Sequence, residues 1–283
     1  MPYSAAIDRQ NPTCFMFIID QSGSMGDPLG GGESSKKKAD SVADAINNLL
    51  RELAIRCAMA EGVRDYFHIG VIGYGASTGS AFSGPLRGKE IVPISEVAEN
   101  PARVDQRTKK VEDGAGGLVN ESVKFPVWFE PVANNGTPMC KAFSVATSII
   151  RGFVSAHPNC FPPIIIHLTD GESTDGDPTS VMHELTSISS SDGNVLLFNC
   201  HISSAPVPPI TFPQSPSGLP DMYARMLFDN SSELTPKMLE VAKNFSFDLS
   251  PGSKGFVFNA DAVLIIQVLD IGTRHVVSAD SNR

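Results

Sequence analysis

Four short apolar runs limit what this chain can fold into: Cys14–Ile19, His68–Tyr74, Ile164–Leu168 and Val195–Phe198. Runs of this length, rich in β-branched and aromatic residues and without polar alternation, suit strands covered on both faces, as in a parallel sheet flanked by helices. The segments between them carry helical periods. Val42, Ile46, Leu49, Leu53 and Cys57 form one apolar stripe within Ser41–Ala60, with Ser34 or Ser35 as the expected cap. A second helix is expected over Pro138 to about Ser155, a third over Pro178–Ile188, a fourth over Pro236–Asn244 and a fifth over Ala260–Leu269. Strand and helix alternate, which predicts an α/β, Rossmann-like, doubly wound fold with a mainly parallel central sheet.

Two stretches break that rhythm. Ala81–Pro131, with "EIVPI" and "FPVWFEP", is expected to form an edge strand or hairpin plus loops. Ser204–Pro220 holds six prolines and reads as a long extended excursion, a tether more than a recognition strand. We therefore expect one elaborated domain over 1–222, with an insertion around 81–131 and the Pro-rich loop 204–220, followed by a helical C-terminal extension over 223–283. The stretch "GFVFNADAVLIIQVLDIG" is too apolar to stay in water and should pack on the domain.

Composition excludes several classes of function. A formal net charge of −9 disfavours nucleic acid and anionic membrane as partners, because phosphate binding draws on clustered Lys and Arg. The one cationic run, "SSKKK", reads as the solvated first turn of a helix. No stretch approaches the roughly 20 apolar residues needed to cross a bilayer, and "MPYSAAIDRQNPT" lacks the apolar segment of a secretory signal, so a cytoplasmic location is expected. The five cysteines are scattered and mostly sit in apolar runs, and the six histidines form no His-x-x-x-His pair; packing or surface roles are expected for both.

The chemistry collects where the strands end. "FIIDQSGSMGD" stops an apolar run at Asp20 and places Ser22 and Ser24 at alternate positions among glycines, "NNGTPM" sets Thr137 before a helix, and "IIIHLTDGES" ends a strand at Asp170. In a doubly wound sheet these carboxyl ends border the ligand crevice. Two carboxylates and three hydroxyls make an oxygen-only donor set suited to a hard divalent cation, Mg²⁺ or Mn²⁺. The competing reading is that Asp and Ser here only cap turns. Asn134 and Asn135 are expected as turn formers; Glu172 either orients a metal-bound water or is a surface carboxylate. Asp175 and Asp177 in "TDGDP" lack EF-hand spacing.

"DQSGS", "NGTPM" and "LTDGES" together resemble the metal-ion-dependent adhesion site (MIDAS) of von Willebrand factor A (vWA) domains, with all five positions matched in order. The resemblance implies a vWA fold from about Thr13 to Ser203. In it Ser22, Ser24 and Thr137 would bind the metal through hydroxyls, and Asp20 and Asp170 would do so directly or through water. A Glu or Asp of a partner protein would then complete the coordination. The chain is also similar to stand-alone bacterial vWA proteins of tellurite-resistance and stress operons, whose company implies a protein kinase, a phosphatase or an AAA+ ATPase as partner. No Gly-x-Ser-x-Gly elbow or phosphate loop appears, so a non-enzymatic adaptor is expected. The alternatives are a metal-dependent phosphohydrolase using Asp20, although Ser22 stands where its second carboxylate belongs, and a structural subunit whose metal only steadies the loops.

Overall fold

The computed structural model describes residues 2–29, 36–112, 118–202 and 207–274. Its centre is an eight-stranded sheet. The strands of this sheet, together with those of a separate long hairpin, are in chain order β1 (Thr13–Asp20), β2 (Phe67–Tyr74), β3 (Thr78–Ser80), β4 (Val92–Pro93), β5 (Arg103–Glu112), β6 (Leu118–Val127), β7 (Ile164–Thr169), β8 (Leu196–Ile202), β9 (Ile210–Thr211) and β10 (Phe256–Ala260). The helices are α1 (Lys38–Cys57), α2 (Ile94–Glu99), α3 (Met139–Ala156), α4 (Thr179–Thr186), α5 (Met222–Asp229), α6 (Pro236–Lys243) and α7 (Ala262–Arg274).

Strands run β9-β10-β8-β7-β1-β2-β3 across the sheet, with β4 also on β2. The inner pairings β10–β8, β8–β7, β7–β1 and β1–β2 are parallel, and the short flanking strands are antiparallel. The four apolar runs are the four central strands, as expected. Their continuous hydrophobicity has a direct cause in β1. Phe15, Phe17 and Ile19 enter one core with α1, α6 and α7, while Cys14, Met16 and Ile18 enter the opposite core with α3, α4 and α5. A strand covered twice has no solvent face to keep polar, and each large apolar side chain so buried contributes about 1.5–3 kcal/mol.

Helix boundaries show which local signals were decisive. The expected caps Ser34 and Ser35 lie outside the described residues, and α1 starts at Lys38, with Lys37 at the N-cap position making no side-chain cap bond. Pro138 precedes α3 rather than opening it. Thr235 caps α6 by accepting from the Met238 amide, with Pro236 at its start.

The insertion forms α2 and the long β5–β6 hairpin, which pairs only with itself among the described strands. Asn47 of α1 fixes its return. Its Oδ1 accepts from the amides of Trp128 (2.9 Å) and Phe129 (3.1 Å), and its Nδ2 donates to the Phe129 carbonyl (2.8 Å).

The C-terminal part is mostly helical, as expected, but also supplies a strand of the central sheet. α5, α6 and α7 are present, but Phe256–Ala260 is a strand that lies parallel to β8 inside the central sheet. Phe256, Val257 and Phe258 suit a doubly covered strand, and Asp261 then starts α7 by accepting from the Val263 and Leu264 amides. Leu264, Ile265, Val268 and Leu269 enter the core beside α1, which accounts for the apolar stretch. The described portion of the Pro-rich excursion returns as β9 on the far side of β10. Among the described residues no helix is long and apolar enough to cross a membrane.

Candidate metal centre

Asp20 is the last residue of β1, and the parallel register sets Ile19 against Leu168 of β7 and Asp20 against Tyr74 of β2. The site thus opens at the carboxyl edge of the sheet's middle. Asp20 is fully buried. Its Oδ1 accepts from the Ser22 amide (2.8 Å), and its Oδ2 accepts from the Thr169 hydroxyl (2.8 Å). Burial raises its carboxyl above the usual carboxylate range, and those hydrogen bonds offset the rise only in part.

Beyond Asp20 the chain enters a 3-10 turn, Gly23–Gly26, that Ser22 opens without a side-chain cap bond. The Ser22 hydroxyl is thus not spent on capping this turn, whereas Asp20 bridges its own turn through the Ser22 amide. The Ser22 hydroxyl instead meets that of Ser24 (3.1 Å), and Ser24 Oγ donates to Asp170 Oδ1 (2.8 Å). Thr137 joins from the loop before α3. A Cβ built on Gly171 would stand 3.8 Å from Thr137 Oγ1 and 3.9 Å from Ser24 Oγ, so the two hydroxyls border one small space that a side chain at 171 would occupy. The five residues expected from the sequence are therefore brought together by three loops. Ser24 is exposed while Asp20, Ser22 and Thr137 are buried, so the cluster has a mouth on the surface.

The loops are stitched through backbone. Gln21 O accepts from the Asn134 amide (2.7 Å) and Asn135 O from the Gly23 amide (2.9 Å), joining the first loop to the second. Asn135 adopts φ 63°, the left-handed turn conformation expected of it. Gly75 lies between them, where a Cβ would come within 2.7 Å of Gln21 O and 2.8 Å of Asn134 O. The third loop joins the second through Thr174, whose amide donates to Thr137 O (2.9 Å) and whose Oγ1 accepts from the Thr137 amide (3.0 Å). Asp175 accepts from the Cys140 and Lys141 amides (3.0 Å each), satisfying open donors at the start of α3, and Asp177 accepts from the Thr179 amide at the start of α4. Both aspartates are thus helix caps. Glu172 stands exposed at the rim.

Lys38 departs from the sequence reading. Lys36 and Lys37 are exposed as a solvated first turn should be, but the Lys38 side chain is only 8% exposed, and its Nζ bonds Asp170 Oδ2 at 2.8 Å. The Asp170 side chain is itself 0% exposed. Thr169, Gly75, Lys38 and Tyr223, whose hydroxyl lies 3.3 Å from that of Thr169, were not singled out from the sequence. Only Lys38 carried a local clue, a cation in the first turn of a helix, where the helix dipole disfavours it.

A buried polar chain underlies the site. Asn199 Nδ2 donates to Leu227 O (3.0 Å), which fixes its Oδ1 as the acceptor facing His167 Nδ1 (2.8 Å). His167 therefore carries its proton on Nδ1, and Nε2 accepts from the Tyr74 hydroxyl (2.7 Å). Burial pushes the His167 imidazole down to about 4 and keeps it neutral. This histidine is a satisfied core group, as expected of the scattered histidines.

The donor set fits a hard cation. Its hydroxyls are not spent on backbone caps and its two carboxylates are enclosed, one of them already paired with the Lys38 ammonium. Among the described residues no group of three or more His, Cys, Asp or Glu could hold a metal, so an ion here depends on the hydroxyl oxygens.

No family model matches the chain, and no curated protein matches it in sequence. Part of the chain is similar to solved structures at low identity. The vWF domain of the type V pili tip protein Mfa5 from Porphyromonas gingivalis is 13% identical over 58% of this chain and 39% of that one, with a TM-score of 0.33. Three N-terminal domains of the same tip protein match at 13% identity and TM-score 0.31, over 58% of this chain and 20% of that one. An uncharacterized membrane spanning protein from Vibrio fischeri matches at 13% identity and TM-score 0.25, over 67% of this chain and 71% of that one. The chain thus spans about two-fifths of the first of these proteins.

Proposed function

We propose that this chain is a metal-dependent protein-interaction module of the vWA type, holding Mg²⁺ (or Mn²⁺) with Asp20, Ser22, Ser24, Thr137 and Asp170 and gripping a Glu or Asp of a partner protein. One observation carries the reading: Ser24 donates to Asp170 across two loops, Ser22 meets Ser24, and the Thr137 hydroxyl of a further loop borders the same small space. Three neutral hydroxyls leave a bound cation electron-poor, and an exchangeable position at the Ser24 mouth would accept a carboxylate. The burial of Asp20, with both oxygens already engaged, favours binding over the phosphohydrolase reading, which needs that carboxylate to reach a phosphorus atom. A kinase, phosphatase or AAA+ ATPase as the partner, a bacterial stress complex and the cytoplasm as its setting all rest on the sequence resemblance alone.

The test is affinity capture on the full chain from the native host, in Mg²⁺ and in excess chelator. A partner released by chelator and not captured by Asp170→Ala supports the proposal; a partner bound equally well in chelator contradicts it. Phosphate release from a generic ester, lost in Asp20→Asn, would favour the phosphohydrolase instead.

A further inference from the structure

The enclosed pair Lys38–Asp170 bears on how such a site would bind, and its role depends on the proposal that Asp170 helps to hold a metal ion. A lysine buried at the start of a helix opposes the helix dipole and loses its hydration. Its two neighbours Lys36 and Lys37 stay in solvent, and Lys36 finds its own partner in Asp44. Lys38 Nζ, by contrast, is enclosed at 2.8 Å from Asp170 Oδ2, on the carboxylate whose other oxygen accepts from Ser24. The charge count is then Asp20, Asp170 and one ammonium. A divalent ion would leave the cluster with a net positive charge, whereas without Lys38 the two carboxylates would neutralise the ion.

We infer that Lys38 is a built-in countercharge that weakens cation binding to the free site and makes the cation and an incoming carboxylate bind cooperatively. The nearly enclosed ammonium would repel a cation held by Asp170, and away from bulk water charge interactions are several times stronger. A carboxylate at the mouth removes the excess positive charge, so each ligand improves the affinity of the other by the same factor. The partner chemistry that this selects is an anionic side chain and not a neutral amide.

The experiment measures Mn²⁺ binding to the full chain by electron paramagnetic resonance, in chloride, in added acetate and in added acetamide, for wild type, Lys38→Met and Lys38→Arg. Lys38→Met is expected to bind Mn²⁺ about tenfold or more tightly and to lose most of the acetate enhancement. Lys38→Arg should behave as wild type, and acetamide should have no effect. Removing the ammonium strands Asp170, so Lys38→Met is also expected to melt lower without metal and to gain more from Mn²⁺ than wild type does. Equal Mn²⁺ affinity in wild type and Lys38→Met, or tighter binding by Lys38→Arg as well, overturns the countercharge and leaves the one-ion site standing. Absence of bound Mn²⁺ in all three overturns the metal reading and this inference with it.

Discussion

His167 gives the site's foundation a measurable pH signature. Its ring is fully enclosed between Tyr74 and Asn199, and burial lowers its pKa from 6.5 to about 4. A depressed histidine pKa means that the unfolded chain binds more protons than the folded one between those values. Stability is therefore complete above the unfolded pKa and falls as pH drops through 6.5 toward about 4. At 1.36 kcal/mol per pKa unit the whole shift corresponds to about 3 kcal/mol, of which about 2 kcal/mol should be lost between about pH 7.5 and pH 5. His201, also pushed down to about 4 by burial, adds a loss of the same sign, so the contribution of His167 has to be isolated by difference. His167→Gln offers a neutral acceptor and donor in its place. Urea unfolding at the two pH values should show wild type losing about 2 kcal/mol more than the variant. Equal losses, or an NMR titration of His167 with a midpoint near its ordinary value, would refute the enclosed neutral imidazole.

Two further substitutions probe how the site is held. Gly75→Ala places a Cβ within 2.8 Å of two carbonyl oxygens on different site loops, so the loops must part; Mn²⁺ affinity should fall about tenfold or more while the far-ultraviolet circular dichroism is retained. Gly152→Ala on α3, which meets nothing within 4 Å, serves as the neutral control. Asn47→Ala strands the amides of Trp128 and Phe129 and the Phe129 carbonyl; it should cost about 3 kcal/mol in urea unfolding, and a loss under about 1 kcal/mol would show that water or a shifted backbone satisfies those groups.

Most of the sheet was legible because strands covered on both faces are mostly apolar, and β1, β2, β7 and β8 send apolar side chains into both cores. β8 ran past its expected end at Phe198, since Asn199 and His201 interrupt the apolar run while remaining in the strand, Asn199 with its polar atoms satisfied by Leu227, Ser231 and His167. β10 was hidden because a strand that pairs with β8 more than 50 residues away announces itself only by composition, and "FVF" is a three-residue signal just before the helix expected from Ala260. That Asp20, Ser22, Ser24, Thr137 and Asp170 gather at the strand ends was legible from their type and spacing. What was not legible is what packing alone decides: that Lys38, unlike the two lysines before it, turns inward, and that Gly75 is the place where two loops meet.

Asp20, Ser22, Ser24, Thr137 and Asp170 are proposed to surround one ion, and titration of the full chain with Mn²⁺ at physiological ionic strength, read as bound ion per chain, decides whether they do. One ion bound by wild type, displaced by excess Mg²⁺ and absent from Asp20→Ala and Thr137→Ala variants that unfold cooperatively, is the predicted result. Binding that survives both substitutions, or no binding by wild type in either the presence or the absence of acetate, would contradict the five-residue site.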